Sequence, residues 1–119
     1  MHKFKELKIW QKSRSFVKKI YETTALFPES EKYGLCSQMQ RAEVSVPSNI
    51  AEGSGRTTNK EFSHFLDIAM GSSFELETLF ILANDLNYID ENLMSELSLK
   101  TNKIQKMIYS FKKQVNQSV

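Results

Sequence analysis

The chain has 119 residues, of which 40% are hydrophobic and 25% are charged, with four glycines and two prolines. This composition excludes collagen-like, predominantly disordered and disulfide-rich small proteins, and it fits one folded domain over residues 1–119. No apolar run exceeds five residues, so the sequence predicts neither a membrane span nor a signal peptide. The single cysteine, Cys36, cannot close an internal disulfide, and we therefore expect a protein of the reducing cytoplasm.

The net charge of +2 conceals an uneven distribution along the chain. Residues 1–28 carry seven basic and two acidic side chains, and residues 97–119 carry five lysines and no acid. Residues 57–96 are acidic, with eight carboxylates and one lysine. Such an asymmetry is an argument about binding partners rather than about the fold.

Hydrophobic residues recur with the period of an α-helix in four segments, and no segment sustains the alternation of a strand. The first predicted helix covers residues 5–26, because Pro28 prevents its continuation. The second covers residues 30–52. Gly53 marks its end as a residue suited to a left-handed cap, and Pro47 inside it predicts a bend.

The third predicted helix covers residues 58–86 and begins with a capping box formed by Thr58 and Glu61. The fourth covers residues 91–115, with Asp90 as its N-cap. Short connections between helices of similar length favour antiparallel neighbours, so we predict an all-α, antiparallel up-down-up-down four-helix bundle. In this topology the first and fourth helices are adjacent, and the two basic ends of the chain form one surface.

The apolar surfaces of the first and third helices are wider than one bundle core requires. On the first helix, the stripe expected to face the core comprises Leu7, Trp10, Val17, Tyr21 and Thr24. A second stripe beside it, and the far side of the third helix, lack a partner within one predicted subunit. These residues are Ile9, Phe16, Ile20, Met70, Phe74 and Ile81. We interpret them as the interface of a homo-oligomer, the alternative being apolar side chains that are merely exposed.

Lysines lie opposite the apolar faces of the first and fourth helices, where they are expected to contact the phosphates of a nucleic acid. This set comprises Lys5, Lys8, Lys12, Lys19, Lys103, Lys106 and Lys113. The alternative interpretation is a solvated face without a ligand.

The sequence offers little for catalysis or metal binding. Glu61 and His64 fit the Glu-x-x-His motif of di-metal bundles, but no second motif exists, so we predict no metal, no cofactor and no catalytic residue. The loop from Gly53 to Arg56 lacks the ending of a phosphate-binding loop, and a tight turn is its simpler interpretation. We therefore expect a protein without enzymatic activity.

A group of residues in the second and third helices resembles a known family. The group comprises Tyr33-Gly34-Leu35, Gln38, Arg41, Ser45, Asn49-Ile50-Ala51-Glu52-Gly53 and Ala69-Met70-Gly71-Ser72 with Glu75. It is similar to the bacterial four-helix bundle family of 23S rRNA intervening-sequence proteins, some of which are encoded within insertions of large-subunit ribosomal RNA genes. Relatives serve as accessory variability proteins in diversity-generating retroelements.

The resemblance implies a bundle that assembles as a homopentamer, with RNA or another nucleic acid and a protein such as a reverse transcriptase as partners. It also implies that six residues, named the motif residues below, determine the packing of helices and subunits. They are Arg41, Asn49, Glu52, Gly71, Ser72 and Glu75. Glu75 and Glu77 are candidate ion-pair partners of Arg14 and Arg41. The predicted function is nucleic-acid binding by a non-enzymatic oligomer, and the alternative is a protein-interaction scaffold with no direct nucleic-acid role.

Overall fold

The computed structural model describes residues 2–117, and the four predicted helices are present in this range. They are α1 (Lys8–Thr24), α2 (Leu35–Ser54), α3 (Asn59–Asp85) and α4 (Glu91–Gln117). No strand occurs within residues 2–117, so the predicted all-α class is confirmed. The first helix begins later than predicted because Leu7 has an extended backbone, with φ −76° and ψ 127°.

Each helix packs against the next one along the chain, and α1 also contacts α4, as expected for a bundle. Thr24 is the last residue of α1, and Cys36 lies near the start of α2. The Cys36 thiol donates a hydrogen bond to the carbonyl oxygen of Thr24 at 3.5 Å. Near the end of α4 the ammonium of Lys112 lies 2.5 Å from a carboxylate oxygen of Asp67, near the start of α3. The helix α2 continues through Pro47, and the bend expected there stays a prediction.

The structure changes the two apolar stripes predicted on α1. Of the stripe expected to face the core, Thr24 is buried and Leu7 and Trp10 are partly buried against the core. Ile9, Phe16 and Ile20 are buried in the core of their own subunit, with Phe16 only 5% exposed, whereas Tyr21 is 48% exposed. The polar residue Ser13 interrupts the buried stripe in the sequence, but its hydroxyl donates to the carbonyl oxygen of Ile9 at 2.8 Å and is thereby satisfied inside the core. Interpreting Ile9, Phe16 and Ile20 as an oligomer interface was therefore wrong.

Of the three side chains of the third helix predicted to lack a partner, two are exposed and Met70 packs against the core. Ala69 and Leu76 are fully buried, and Met70 is partly buried against the core. Phe74 and Ile81 are exposed, Phe74 to 55%. The subunit thus leaves Phe74 and Ile81 in solvent, together with Ile68 and Leu82 of the same helix.

The two predicted N-caps are confirmed. The Thr58 hydroxyl accepts a hydrogen bond from the backbone N–H of Glu61 at 3.1 Å, at the start of α3. The Asp90 carboxylate accepts one from the backbone N–H of Leu93 at 2.8 Å, at the start of α4. These contacts satisfy backbone donors that the first turn of a helix leaves unpaired.

Gly53 lies inside α2 rather than in a left-handed cap, so the role predicted for it was wrong. Gly53 instead allows α2 and α3 to pack closely together. A Cβ atom at this position would lie 2.7 Å from the Cβ of Phe65 and 2.8 Å from the Cδ1 of Phe62. Only a residue without a side chain allows these helices to approach so closely.

The turn between α3 and α4 is joined to the turn between α1 and α2. Asn87 has φ 63°, and the N–H of Tyr88 donates to the carbonyl oxygen of Ala83 at 2.9 Å, which closes the end of α3. The Tyr88 hydroxyl donates to Glu31 Oε2 at 2.9 Å, while Glu31 Oε1 accepts from the N–H of Leu35 at 3.1 Å. The one carboxylate of Glu31 therefore holds both turns and the start of α2.

Candidate nucleic-acid interface

Helices α1 and α4 leave a surface furrow between them, here named the α1–α4 furrow, with two sections that meet at Met107. The central section has a volume of about 340 Å³ and the outer section about 470 Å³. The central section has basic rims and an apolar floor. Lys12 and Lys19 of α1 face Lys100 and Lys103 of α4, and the floor consists of Phe16, Ile104 and Met107.

Five of the seven lysines predicted to bind nucleic acid line this furrow. Lys12, Lys19 and Lys103 line its central section, and Lys8 and Lys106 line its outer section. The packing of α1 against α4 thus brings together basic residues from the two ends of the sequence.

The other two predicted lysines lie elsewhere. Lys5 is exposed in a single 3-10 turn, Phe4–Glu6, and lines neither section. Lys113 also lies outside the furrow, and its ammonium is 5.7 Å from the centre of the Tyr109 ring. Lys100 is a furrow residue that the sequence analysis missed, although its position three residues before Lys103 places both on one helix face.

Most of the furrow lysines have no acidic partner. Within the part of the chain that the structure describes, Lys19 is the one furrow lysine in an ion pair, with its Nζ 3.1 Å from Glu96 Oε2. No carboxylate lines the central section, whereas Glu6 lines the outer one. The exposed furrow lysines outside any described ion pair are Lys8, Lys12, Lys100, Lys103 and Lys106. The furrow is therefore electropositive, and most strongly so at its centre.

A second surface recess, the motif cleft, contains several of the motif residues. It has a volume of about 770 Å³ and is lined by Arg41, Ser45, Ser72 and Glu75 among others. The hydroxyls of Ser45 and Ser72 are 2.9 Å apart, and the Asn49 amide donates to the carbonyl oxygen of Ser45 at 2.8 Å and to its hydroxyl at 2.9 Å. Ser45, Ser72 and Asn49 thus link α2 to α3.

The remaining motif residues do not pack within the subunit. Arg41 and Glu75 are exposed, and neither belongs to an ion pair described within residues 2–117. Gly71 does not allow helices of one subunit to approach closely, because an added Cβ atom would meet no atom within 4 Å. Glu52 forms an exposed ion pair with Arg56 at 3.0 Å.

The ion pairs expected for Glu77 and Arg14 are also replaced by other contacts. Glu77 Oε1 accepts a hydrogen bond from the Gln105 side chain at 2.6 Å. The Arg14 guanidinium lies 5.5 Å from the centre of the Trp10 ring. Both side chains therefore stabilise contacts other than those predicted.

The residues considered for metal or anion binding have structural contacts. Glu61 belongs to the N-cap of α3, and His64 is exposed with its ring 6.0 Å from that of Phe65. Arg56, in the loop after α2, pairs with Glu52 and stacks on Phe65 at 4.7 Å. Within residues 2–117, no three His, Cys, Asp or Glu side chains are grouped so that they could hold a metal ion. No helix in this range combines the length and apolarity needed to cross a membrane.

One buried acid was not singled out by the sequence analysis. Glu43 on α2 is 2% exposed, and its Oε2 atom has no hydrogen-bond partner in the described structure. Burial raises the pKa of Glu43 to about 9, so its carboxyl group is neutral at pH 7. Its spacing from Met39, Val46 and Ile50, which are all buried, gives the signal that places it on the core stripe.

The fold and its surface define a small four-helix bundle with a basic furrow along one pair of helices. Residues 5–110 match the family model of the 23S rRNA-intervening sequence protein. The chain belongs to this family, which confirms the resemblance seen in the sequence. The comparison with curated proteins gives no match.

A solved structure supports the fold. It is the crystal structure of a protein with unknown function from the S23 ribosomal protein family of Bacteroides thetaiotaomicron VPI-5482. The similarity has a TM-score of 0.79 at 23% sequence identity and covers 88% of this chain and 98% of that chain. At this identity the likeness concerns the fold.

Proposed function

We propose that this protein is a non-enzymatic homo-oligomer that binds RNA or another nucleic acid through the α1–α4 furrow. One observation carries the proposal: lysines from opposite ends of the sequence line the two rims of one furrow. Each lysine that neutralises a phosphate releases a counterion, so binding is expected to weaken steeply as the salt concentration rises.

Charge reversal of the furrow tests the proposal. The variant carries Glu in place of Lys8, Lys12, Lys103 and Lys106. Because these side chains are exposed, we expect unchanged helical content by circular dichroism and the loss of an RNA gel shift at low salt.

A control variant separates the furrow from net charge. It carries Glu in place of four exposed lysines that do not line the furrow, namely Lys18, Lys32, Lys60 and Lys113. The control should keep most of the gel shift. Equal loss in both variants would show that total charge, rather than the furrow, governs binding.

The proposed oligomer uses the exposed apolar side chains of α3. Phe74 and Ile81 lie in solvent in the single subunit, and burying apolar side chains of this size favours association. The family resemblance suggests a pentamer. Sedimentation equilibrium at micromolar concentration should give a species several times heavier than 13.8 kDa, and Phe74→Ser with Ile81→Ser should shift it toward the monomer. A wild-type species of 13.8 kDa alone would contradict the oligomer.

A cytoplasmic location belongs to the same proposal. Cys36 is buried and free, and its thiol makes a structural hydrogen bond to Thr24. A chain without internal disulfides suits a reducing compartment.

The second candidate function is a protein-interaction scaffold, and the motif cleft favours it. This recess of about 770 Å³ contains the uncompensated charges of Arg41 and Glu75, which would suit a partner with complementary charges. Genes beside the coding sequence distinguish the candidates: a ribosomal RNA insertion or a reverse transcriptase gene favours nucleic-acid binding, and neither favours the scaffold.

A further inference from the structure

We infer that the α1–α4 furrow takes a single strand of nucleic acid rather than a duplex. The inference rests on the proposed function and specifies the form of the ligand at the same site. It is carried by three features of the furrow: its apolar floor, its position between two adjacent helices and its lysines on both rims.

The floor of the furrow is apolar along both sections. Phe16 and Ile104 form its base at the centre and are almost fully covered. The accessible apolar surface is that of Met107, continued in the outer section by Leu7 and Phe111, and these three side chains are only partly buried. A duplex stacks its bases inside and presents sugars and phosphates outward, so it gains nothing from an apolar floor. A single strand exposes the faces of its bases, which bind to aromatic and apolar side chains.

The shape of the furrow also suits one strand. Neighbouring helices pack with axes about 8–10 Å apart, so a recess between two of them is too narrow for a double helix to enter. From Lys8 to Lys19 the furrow follows α1 for about 16 Å, at 1.5 Å per residue. This length accommodates a few nucleotides of an extended strand.

The lysines are positioned to contact the phosphates of a strand that lies in the recess. Lys12 stands on one rim and Lys100 and Lys103 on the other, with no carboxylate lining the section between them, while Lys19 on the first rim is paired with Glu96. A backbone that follows the furrow therefore meets positive charge on both sides. A duplex resting across the rims would reach the lysines but leave the floor empty.

These features predict a difference in salt dependence. Phosphate contacts weaken with salt for both ligands, whereas the burial of base faces on the floor does not release counterions. A single strand should therefore retain more of its affinity at high salt than a duplex of equal length.

The experiment compares fluorescein-labelled RNA by anisotropy at about 50 mM and about 200 mM NaCl, the range over which electrostatic binding falls steeply. The ligands are a single strand of about 12 nucleotides without self-complementarity and the corresponding duplex. We expect the single strand to bind about tenfold more tightly, because one seated base contributes about that factor. The difference should be larger at the higher salt concentration.

Three substitutions, one of them a control, locate the strand. Ser15 is exposed and lines the central section, so Ser15→Glu introduces a charge that repels phosphate without disturbing the core, and it should weaken single-strand binding. Ser48→Glu makes the same change on an exposed position of α2 outside the furrow, and its affinity should match the wild type. Met107→Ala should lower the preference for single strands while leaving duplex binding unchanged.

Each contrary outcome has a distinct meaning. If the duplex binds as tightly as the single strand, the inference is wrong and the proposed function stands. If Ser15→Glu binds the single strand like wild type, the strand lies outside the furrow and the inference is wrong. If the folded protein binds neither RNA, the inference and the proposed function both fail, and a protein partner becomes the better explanation.

Discussion

The contact between α2 and α3 differs from the contact between α1 and α4 in how closely the helices meet. Between α2 and α3, Gly53 fits against Phe62 and Phe65, and the hydroxyls of Ser45 and Ser72 form a hydrogen bond. Between α1 and α4, lysines line both rims and leave an open furrow. Small residues and paired hydroxyls bring helices together, whereas long charged side chains keep their ammonium groups in water and hold a surface open.

The largest expected effect on stability comes from a buried ionisable group rather than from the spacing of the helices. Lysines at the α1–α4 furrow stay in water, but α2 buries the carboxyl of Glu43, whose pKa rises from 4.5 to about 9. Between these values the group is neutral in the folded state and ionised in the unfolded state. The contribution of Glu43 to stability is therefore fully present below its unfolded pKa and falls as pH rises toward about 9, by about 3 kcal/mol between pH 5 and pH 7. Urea unfolding at several pH values measures the slope.

Glu43→Gln should remove this component of the pH dependence, because an amide does not ionise. Glu52→Gln, an exposed acid on the same helix, is the matched control and should keep the wild-type slope. Parallel stability curves for wild type and Glu43→Gln would mean that the carboxyl of Glu43 is not held neutral.

The next largest effect on stability is expected where α2 packs closely against α3. Gly53→Ala places a Cβ atom within 2.8 Å of Phe62 and Phe65, so we expect a loss of about 1–3 kcal/mol in the free energy of unfolding. Gly71→Ala, also within a helix but facing open space, should gain up to about 1 kcal/mol. Urea unfolding of both variants provides the comparison.

A Gly53→Ala variant as stable as wild type would show that the two helices move apart without cost. Sedimentation of Gly71→Ala addresses a separate question, namely whether this exposed position meets a second subunit. A shift toward the monomer would place it in the proposed oligomer interface.

The smallest effect on stability is expected at the α1–α4 furrow. Glu96→Gln removes the partner of Lys19, and exposed ion pairs contribute at most about 1 kcal/mol to stability. The same change frees one more positive charge in the furrow, so RNA affinity should rise modestly at low salt. Thermal unfolding and anisotropy measure the two effects, with Glu22→Gln as a control on an exposed acid of α1. Weaker RNA binding by Glu96→Gln would contradict the role of Lys19.

Helices and caps were predictable because their signals are local. The capping residues Thr58 and Asp90 act within one turn of their own helices, and the structure places both as expected. The buried face of α1 was not predictable from apolar spacing alone, because Ser13 satisfies its hydroxyl within the helix and enters the core. The role of Gly53 depends on Phe62 and Phe65 in another helix, and no local pattern reveals such a contact.

For the candidate site, too, the local features were predictable from the sequence and the features that depend on helix packing were not. The sequence indicated basic faces on the first and fourth helices, and their adjacency brought five of the predicted lysines to one furrow. The apolar floor was not foreseen, because it depends on how far apart α1 and α4 lie. Lys5 and Lys113 share the charge pattern of the other lysines but lie outside the furrow.

The hydrogen bond from Tyr88 to Glu31 spans 57 residues of sequence and closes a large loop of the chain. It requires α2 and α3 to be in place together, since these helices lie between the two residues. Loss of one turn at that end of the subunit therefore releases the other. Local opening there should be cooperative, with amide hydrogens in both turns exchanging with solvent at a common rate.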